Sequence, residues 1–280
     1  MPSYDTPEPI SVTAHVGAGS LRLTASDRLD TVVDVRPAGP KRDKDVRAAE
    51  QTEVSYVSGV LTVRTKERRL IGPTGAVDVT IELPAGSRVD VTGSWTHVLG
   101  EGRLGETRVK TSGGDVRLDA TGPLQLTASH GSITVDRVEG KAEITTSSGS
   151  LRVGTVDGPA VLKNSHGSTT VGAAIGDLRV SGANGDIDIT RAEGTVVATT
   201  AHGTLRVAEV ARGNVQLETS YGAIEVGIRE GTAAWLDAGS EHGQVRNTLA
   251  ASDAPEETED TVKIHARTRW GNIDVRHARG

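Results

Sequence analysis

The chain combines frequent glycine with very few large aromatic residues. Of its 280 residues 34 are Gly (about one in eight), three are Trp and three are Tyr, and it has no Phe and no Cys. The formal net charge of −6 gives no basic surface for nucleic acid, and a chain without Cys holds neither disulfides nor a thiolate metal site. We therefore predict no nucleic-acid partner and no cofactor.

The N-terminal residues carry no recognisable targeting signal. Residues 1–10 lack the basic segment followed by an apolar run that marks a signal peptide. No stretch of the chain approaches the about 18–20 apolar residues that span a bilayer. We predict a cytoplasmic protein with no membrane span, for which surface display would need an unrecognised export route.

Residues 1–104 are predicted to form an irregular β region that caps the repeats and carries long loops. The Pro-, Gly- and charge-rich stretch 36–50 predicts a loop or a short helix. Terminal repeats are atypical because they must close the core against water. A separate small β-domain is the alternative interpretation. Alternating apolar residues predict strands at 10–14, 31–35, 53–57, 60–65 and 77–83.

Residues 105–280 are organised by a glycine-centred repeat. The unit Gly-x-aliphatic-x-aliphatic recurs every 17–21 residues, and a second glycine follows each first one by eight to ten residues. A last copy at 270–275 follows an acidic loop insertion at 247–260, which we interpret as a solvated loop or as a partner-binding protrusion. The first glycines are Gly114, Gly131, Gly149, Gly167, Gly185, Gly203, Gly222 and Gly243.

Within each period the apolar residues alternate with polar ones, as in Val116/Leu118 and Leu205/Val207, which is the periodicity of a strand. Strands of three to five residues cannot form stable hairpins alone, but they can form one coil of a solenoid in which each strand pairs with its equivalent in the next coil. We therefore predict an all-β fold, a parallel β-solenoid (β-helix) with about 18 residues per coil and an irregular N-terminal capping region. A β-sandwich is the competing fold, although it would not require a fixed register.

These repeats resemble those of the DUF4097 family, bacterial β-strand-repeat proteins that are labelled adhesins by analogy. The resemblance is carried by units such as 146–153 and 201–207 and by the strand at 77–84, which resembles the strand that precedes the family's repeats. It covers roughly residues 10–275. It implies a repetitive β-architecture and an adhesin-like role, and it implies no catalytic or binding residues.

Histidine recurs at the position before the first glycine of nearly alternate coils, which suggests a metal site or a pH-sensitive row. Strands lie about 4.8 Å apart, so histidines two coils apart are too distant to share one ion. We favour turn positions that tolerate Asn, Ser and His, and we keep a surface row for a ligand or partner as the alternative. The histidines concerned are His130, His166, His202 and His242.

The three tryptophans, Trp95, Trp235 and Trp270, lie near the irregular ends of the repeats. We predict that they cap the core, with a carbohydrate or protein contact as the alternative for exposed rings. Trp235 and Trp270 therefore join the histidines as possible surface contact residues.

Paired carboxylates would indicate a carbohydrate-active β-helix enzyme. Asp115 and Asp186 occupy equivalent positions four coils apart, about 19 Å, which is too far for the pairing used in glycoside hydrolysis. Asp186 and Asp188 could share one face of a strand, although solvent-facing alternation explains them more simply. We therefore predict no enzymatic activity and no catalytic residues.

We predict a non-enzymatic binding or scaffold protein that presents flat polar strand faces to a protein or glycan partner. The alternative is a self-assembling or assembly-decorating structural protein, because a solenoid end exposes unpaired strand edges. A carbohydrate-active enzyme is the less favoured third hypothesis.

Overall fold

The structure is a computed structural model that describes residues 2–65, 75–249 and 260–278. It confirms the predicted all-β, parallel β-solenoid fold. The chain divides into two compact units, Met1–Glu139 and Gly140–Gly280. The predicted division into 1–104 and 105–280 stays a prediction, and the centre of the predicted acidic insertion, residues 250–259, lies outside the described residues.

The first unit begins with an irregular segment and continues into regular coils. The strands predicted at 31–35, 53–57, 60–65 and 77–83 are all present, and a short helix lies within 36–50. Its elements are β1 (Ser3–Asp5), β2 (Ser11–Ser26), β3 (Asp30–Pro37), α1 (Asp43–Glu50), β4 (Glu53–Val57), β5 (Val60–Arg64), β6 (Val77–Pro84), β7 (Arg88–Leu104), β8 (Thr107–Gly113), β9 (Val116–Thr121), β10 (Leu124–His130) and β11 (Ile133–Val138).

Antiparallel strands form the start of this unit. β3 pairs antiparallel with β6 and with β1, and β4 pairs antiparallel with β5. β2 pairs in parallel with β5, β6 and β7, and β7 pairs in parallel with β8 over its first part and with β9 over its second. Each later coil consists of two strands separated by a glycine turn, such as the turn at Gly114, where φ is +102°.

The second unit repeats this two-strand coil. Its elements are β12 (Ala142–Ser148), β13 (Leu151–Val156), β14 (Ala160–His166), β15 (Thr169–Ala174), β16 (Leu178–Asn184), β17 (Ile187–Ala192), β18 (Val196–His202), β19 (Leu205–Val210), β20 (Gly213–Tyr221), β21 (Ile224–Ile228), β22 (Ala233–His242), β23 (Val245–Asn247), β24 (Thr261–Trp270) and β25 (Ile273–His277). Up to β21, each strand pairs in parallel with its equivalent one coil later.

The alternating apolar residues of the repeat form the core. Because the register is fixed, equivalent side chains stack in columns, and their members are buried. Small and β-branched residues fill such a narrow interior, which explains how the chain folds with so few aromatic residues. One column comprises Leu151, Thr169, Ile187, Leu205, Ile224 and Ile273.

The order of the last coils differs from the sequence order. β24 pairs with β20 on one side and with β22 on the other, and β25 likewise lies between β21 and β23. The expectation that each strand pairs with its equivalent in the next coil is therefore wrong here. The segment before the insertion forms the outer coil, and the segment after it lies between that coil and the strands β20 and β21.

Candidate functional site

The positions before the first glycine form one row across neighbouring strands of the second unit. The pairing registers place His166 beside Asn184, Asn184 beside His202, and His202 beside Tyr221. The row continues through Trp270 to His242, in the order set by the rearranged coils. The predicted separation of His166 and His202 by one intervening strand is therefore confirmed.

The ring end of this row consists of two stacked pairs. His202 and Tyr221 lie with centroids 5.0 Å apart and planes at 4°, and His242 and Trp270 lie 3.9 Å apart at 22°. Tyr221 and Trp270 are each 50% exposed. The same register places Tyr221 beside Trp270, so each of these two half-exposed rings lies between two neighbouring rings of the row. We call His202, Tyr221, Trp270 and His242 the ring row.

A polar groove of about 680 Å³ lies on the same four strands, lined by the residues that immediately precede the ring row. The lining is rich in hydroxyl groups and holds two arginines and two glutamates. No strand alone supplies more than three lining residues, so only the coil stacking assembles the groove. The lining residues are Thr199, Thr200, Glu218, Thr219, Ser220, Gly239, Ser240, Glu241, Arg267, Thr268 and Arg269.

One arginine of the groove is held in place by the outer coil. Arg267 Nη2 donates to Asp237 Oδ1 at 2.6 Å, and its Nη1 donates to the Asp237 carbonyl oxygen at 3.0 Å. His265 Nδ1 lies 2.9 Å from the other carboxylate oxygen of Asp237. The hydrogen bond from Arg267, and then that from His265, holds the pKa of the Asp237 carboxyl below its usual value. The carboxylate is thus charged near neutral pH and ties β22 to β24.

Four other side chains of the groove have no such commitment. Within the described part of the chain, Thr199, Ser220, Glu241 and Arg269 make no side-chain hydrogen bond or ion pair. They lie on β18, β20, β22 and β24, one to each strand. Glu218 accepts a hydrogen bond from Gln216 at 2.8 Å. The groove therefore offers a free cation, a free anion and two free hydroxyls to a ligand.

The predicted contact residues do not all reach this site. His202, His242 and Trp270 belong to the ring row. His166 lies two strands further along the row, where it is exposed and its Nδ1 lies 3.3 Å from the Ser147 carbonyl oxygen. His130 ends β10 in the first unit and is exposed.

The tryptophans are surface residues rather than core caps. Trp95 is 66% exposed, Trp235 63% and Trp270 50%, so the prediction that they cap the core is wrong. Trp235 lies on the outer face of β22, opposite Lys263 of β24. The exposed-contact alternative is therefore the one that agrees with their burial.

Two of the three candidate carboxylates accept hydrogen bonds from backbone N–H groups. Asp186 Oδ1 accepts a hydrogen bond from the Thr204 backbone N–H at 2.7 Å, and Asp115 Oδ1 accepts one from Ser132 N–H at 2.8 Å. Each thus joins its turn to the same turn one coil later. Asp188 lies exposed on the outer face of β17. Among the described residues, no group of three or more His, Asp or Glu side chains could hold a metal ion.

Sequence reasoning found the histidines of the site and missed its groove. Tyr221 occupies the position before a first glycine, where other coils have His. That position is the only signal in the sequence that points to it. Arg267 and Arg269 alternate with buried residues on β24, a pattern shared by many exposed strands. Nothing in the sequence indicated that β22 would lie outside β24 and bring Glu241 to Arg269.

The family described as Toastrack DUF4097 matches residues 17–280 of the chain. No curated protein matches it. Similar solved structures include a "putative adhesin" from Parabacteroides distasonis (TM-score 0.46, 16% identity, 80% of this chain and 95% of that chain). Others are a "putative adhesin" from Parabacteroides merdae (0.41, 16%, 79% and 92%) and a "putative lipid binding protein" from P. distasonis (0.41, 12%, 98% and 95%). None of the described helices is long and apolar enough to cross a membrane.

Proposed function

Because the chain belongs to the Toastrack DUF4097 family, we propose that it is a non-enzymatic binding protein that presents its polar strand faces, and above all the ring row with its groove, to a partner. The observation that carries this proposal is the coincidence of half-exposed aromatic rings with uncommitted polar side chains on the same four strands. Exposed Trp, Tyr and Arg side chains are the residue types that most often anchor binding interfaces.

The absence of enzymatic activity is part of the proposal. Asp186 is engaged with the backbone of the next coil, and Asp188 lies exposed between Thr170 and Arg206 of the adjacent strands. A polysaccharide panel incubated with the protein should therefore release no new reducing ends. Turnover that Asp186→Ala or Asp188→Ala abolishes would overturn this part of the proposal.

The binding role is tested with the immobilised full chain against an array of glycans and an array of proteins and peptides. We expect saturable binding to at least one class of ligand, and we expect Tyr221→Ala/Trp270→Ala to lose it. Trp95→Ala is the control, because Trp95 is an even more exposed tryptophan, at 66%, and lies in the first unit. Lack of saturable binding on both arrays, or binding that the double variant retains in full, would overturn the proposal.

Self-association is a second candidate, favoured by the outer coil. Among the described strands β22 pairs only with β24 and β23 only with β25, so each keeps one unpaired edge. The inward-facing Leu236 is only half-buried there, and Val245 is 42% exposed, whereas the facing Ile264 and Ile273 are buried. A second copy that pairs with this edge would cover them.

This candidate predicts a concentration-dependent oligomer. Sedimentation of the wild-type chain should show growth with concentration, and Leu236→Glu should reduce it while leaving the circular dichroism spectrum unchanged. A monomer at every concentration would exclude self-association. The cytoplasmic location likewise stays a prediction, which fractionation of the source cells would test.

A further inference from the structure

We propose that the groove beside the ring row binds a neutral polyhydroxylated ligand, namely an uncharged oligosaccharide segment. This inference rests on the proposed binding function and specifies its ligand. Three features of the site support it: charges of both signs, uncommitted hydrogen-bonding groups and half-exposed aromatic rings.

Charges of both signs line the groove of about 680 Å³. Arg269 lies there with Glu218 and Glu241, while the charge of Arg267 is already paired with Asp237. An anionic ligand would meet two carboxylates and a cationic ligand would meet the Arg269 guanidinium, and like charges in close contact oppose binding. A ligand without net charge meets neither repulsion.

The uncommitted groups match the hydrogen bonding of sugar hydroxyls, each of which both donates and accepts. Arg269 only donates, the Glu241 carboxylate only accepts, and the Thr199 and Ser220 hydroxyls do both. None of the four makes a side-chain hydrogen bond or ion pair within the described residues, so none must break an internal contact in order to bind. Because they come from four neighbouring strands about 4.8 Å apart, they follow an extended chain of linked rings better than a single small molecule.

The ring row adds the apolar contact that a sugar needs. Pyranose rings present flat faces of C–H groups, which pack against aromatic faces. Tyr221 and Trp270 are each 50% exposed and directly follow lining residues of the groove, so they place exposed aromatic surface at its border. Amphipathic rings of this kind contribute large contact areas beside polar groups.

The anchoring of Arg267 supports a preformed site. Its guanidinium is fixed by the carboxylate and the backbone of Asp237, so binding does not have to order it. A groove held open by cross-strand contacts loses little side-chain entropy when a ligand enters. The free Arg269 then supplies the adaptable contact.

The test is a titration of the full chain, measured by calorimetry and by NMR, with neutral hexasaccharides of different linkage. These are cellohexaose, xylohexaose, mannohexaose, maltohexaose and chitohexaose. A hexagalacturonate and a chitosan hexamer serve as the anionic and cationic comparisons. We expect at least one neutral hexamer to bind more tightly than both charged ones. Arg269→Ala/Glu241→Ala should weaken that binding at least about tenfold.

The control is Arg152→Ala, an exposed arginine on β13 away from the groove, which should leave binding unchanged. Circular dichroism establishes whether each variant folds. If the alanine double variant does not fold, the more conservative double variant Arg269→Lys/Glu241→Gln is titrated as well. Absence of binding by every neutral hexamer, preference for a charged hexamer, or binding that both groove variants retain would overturn the inference. If ring-dependent binding to a protein array persists in that case, the proposed function stands and only the ligand class is wrong.

Discussion

At the scale of single residues, a ladder of hydroxyl groups closes the corner of the last coils in the second unit. The Thr219 hydroxyl donates to the Gly203 carbonyl oxygen at 3.2 Å, and Thr268 repeats this contact to Gly222 at 3.0 Å. These carbonyls belong to the positive-φ glycines, where the backbone turns out of the strand register and needs another donor. The repeated Thr therefore supplies the hydrogen-bond donor that the carbonyl oxygen of the repeated Gly needs.

One rung of this ladder lacks a side chain, and its neighbour compensates. Gly182 occupies the rung between Asn164 and Thr200 and cannot donate. The buried Asn164 amide donates both to the Gly149 carbonyl oxygen at 3.0 Å and to the Gly167 carbonyl oxygen at 3.1 Å. The longer amide thus reaches the carbonyl that a threonine at 182 would have served.

This compensation predicts coupling between the two positions. Asn164→Thr leaves the Gly167 carbonyl without its donor, so Gly182→Thr should stabilise the Asn164→Thr background more than it stabilises the wild type. In the wild type the new side chain gains no free acceptor, and its Cβ would lie 3.2 Å from the Asn164 carbonyl oxygen. Urea unfolding of the four proteins of the cycle measures the coupling, which we expect at about 0.5–3 kcal/mol. Simple additivity would contradict it.

The glycines themselves differ in what their missing side chain permits. At Gly167 φ is +129° and a Cβ would lie 2.2 Å from the Gly149 carbonyl oxygen, whereas at Gly231 φ is +78° and no atom lies within 4 Å. We expect Gly231→Ala to lower the free energy of unfolding by about 1 kcal/mol. Gly167→Ala should cost about 3 kcal/mol or more because neighbouring coils must separate. Equal losses in denaturant unfolding would show that only φ matters.

At the scale of elements, the outer strand β22 is attached to β24 by charge as well as by its backbone. Asp237 accepts from Arg267 and lies beside His265, while the apolar contacts of β22 are only partly buried. Ion pairs on a surface contribute little on average, but this carboxylate is shared by two basic groups, and Arg267 also donates to the Asp237 carbonyl oxygen. It is therefore expected to matter most for this strand.

The lowered pKa of Asp237 sets the direction of a pH dependence. A carboxyl whose pKa is lower in the folded state stabilises the fold above its unfolded pKa of about 3.9, and that contribution is lost as the pH falls through the folded pKa. Asp237→Asn should therefore lower the midpoint of denaturant unfolding at neutral pH, and the difference from wild type should vanish in acid. Asp188→Asn replaces an exposed carboxylate on β17 that has no side-chain hydrogen bond or ion pair among the described residues, so it is the control and should leave the midpoint at neutral pH nearly unchanged. A difference that persists unchanged in acid would contradict the role of the charge.

At the scale of the molecule, the order of the last coils determines which strands need a later segment of the chain in order to be folded. The C-terminal strands β24 and β25 are interior to β22 and β23, although they follow them in sequence. In a solenoid each coil is stabilised by its neighbours, so the outer coil relies on a segment synthesised after it.

Deletion of residues 261–280 separates this order from sequential stacking. We expect hydrogen exchange at residues 233–247 to lose its protection together with the deleted strands, because β22 and β23 lose the strands they pair with. Residues 142–192 should keep their protection and serve as the internal control. Protection that persists at 233–247 would mean that β22 and β23 can pair directly with β20 and β21.

The architecture of the coil could be predicted from the residues alone. Glycine spacing and alternating aliphatic residues predicted the parallel β-solenoid, its period and the strands at 31–35 and 77–83, because each depends on local backbone geometry and on a side-chain periodicity that neighbouring coils share. The histidine row followed from the same register.

Only the tertiary structure decided which coils are neighbours and which side chains meet in the groove. Repeats that are nearly equivalent can stack in more than one order, and a long insertion removes the requirement that the next coil in sequence be the next in space. The arrangement of β20, β24 and β22 places Glu241 beside Arg269 and His242 on Trp270, contacts between residues 28 apart in the chain. No local pattern encodes such pairs, because they depend on packing free energy summed over whole coils.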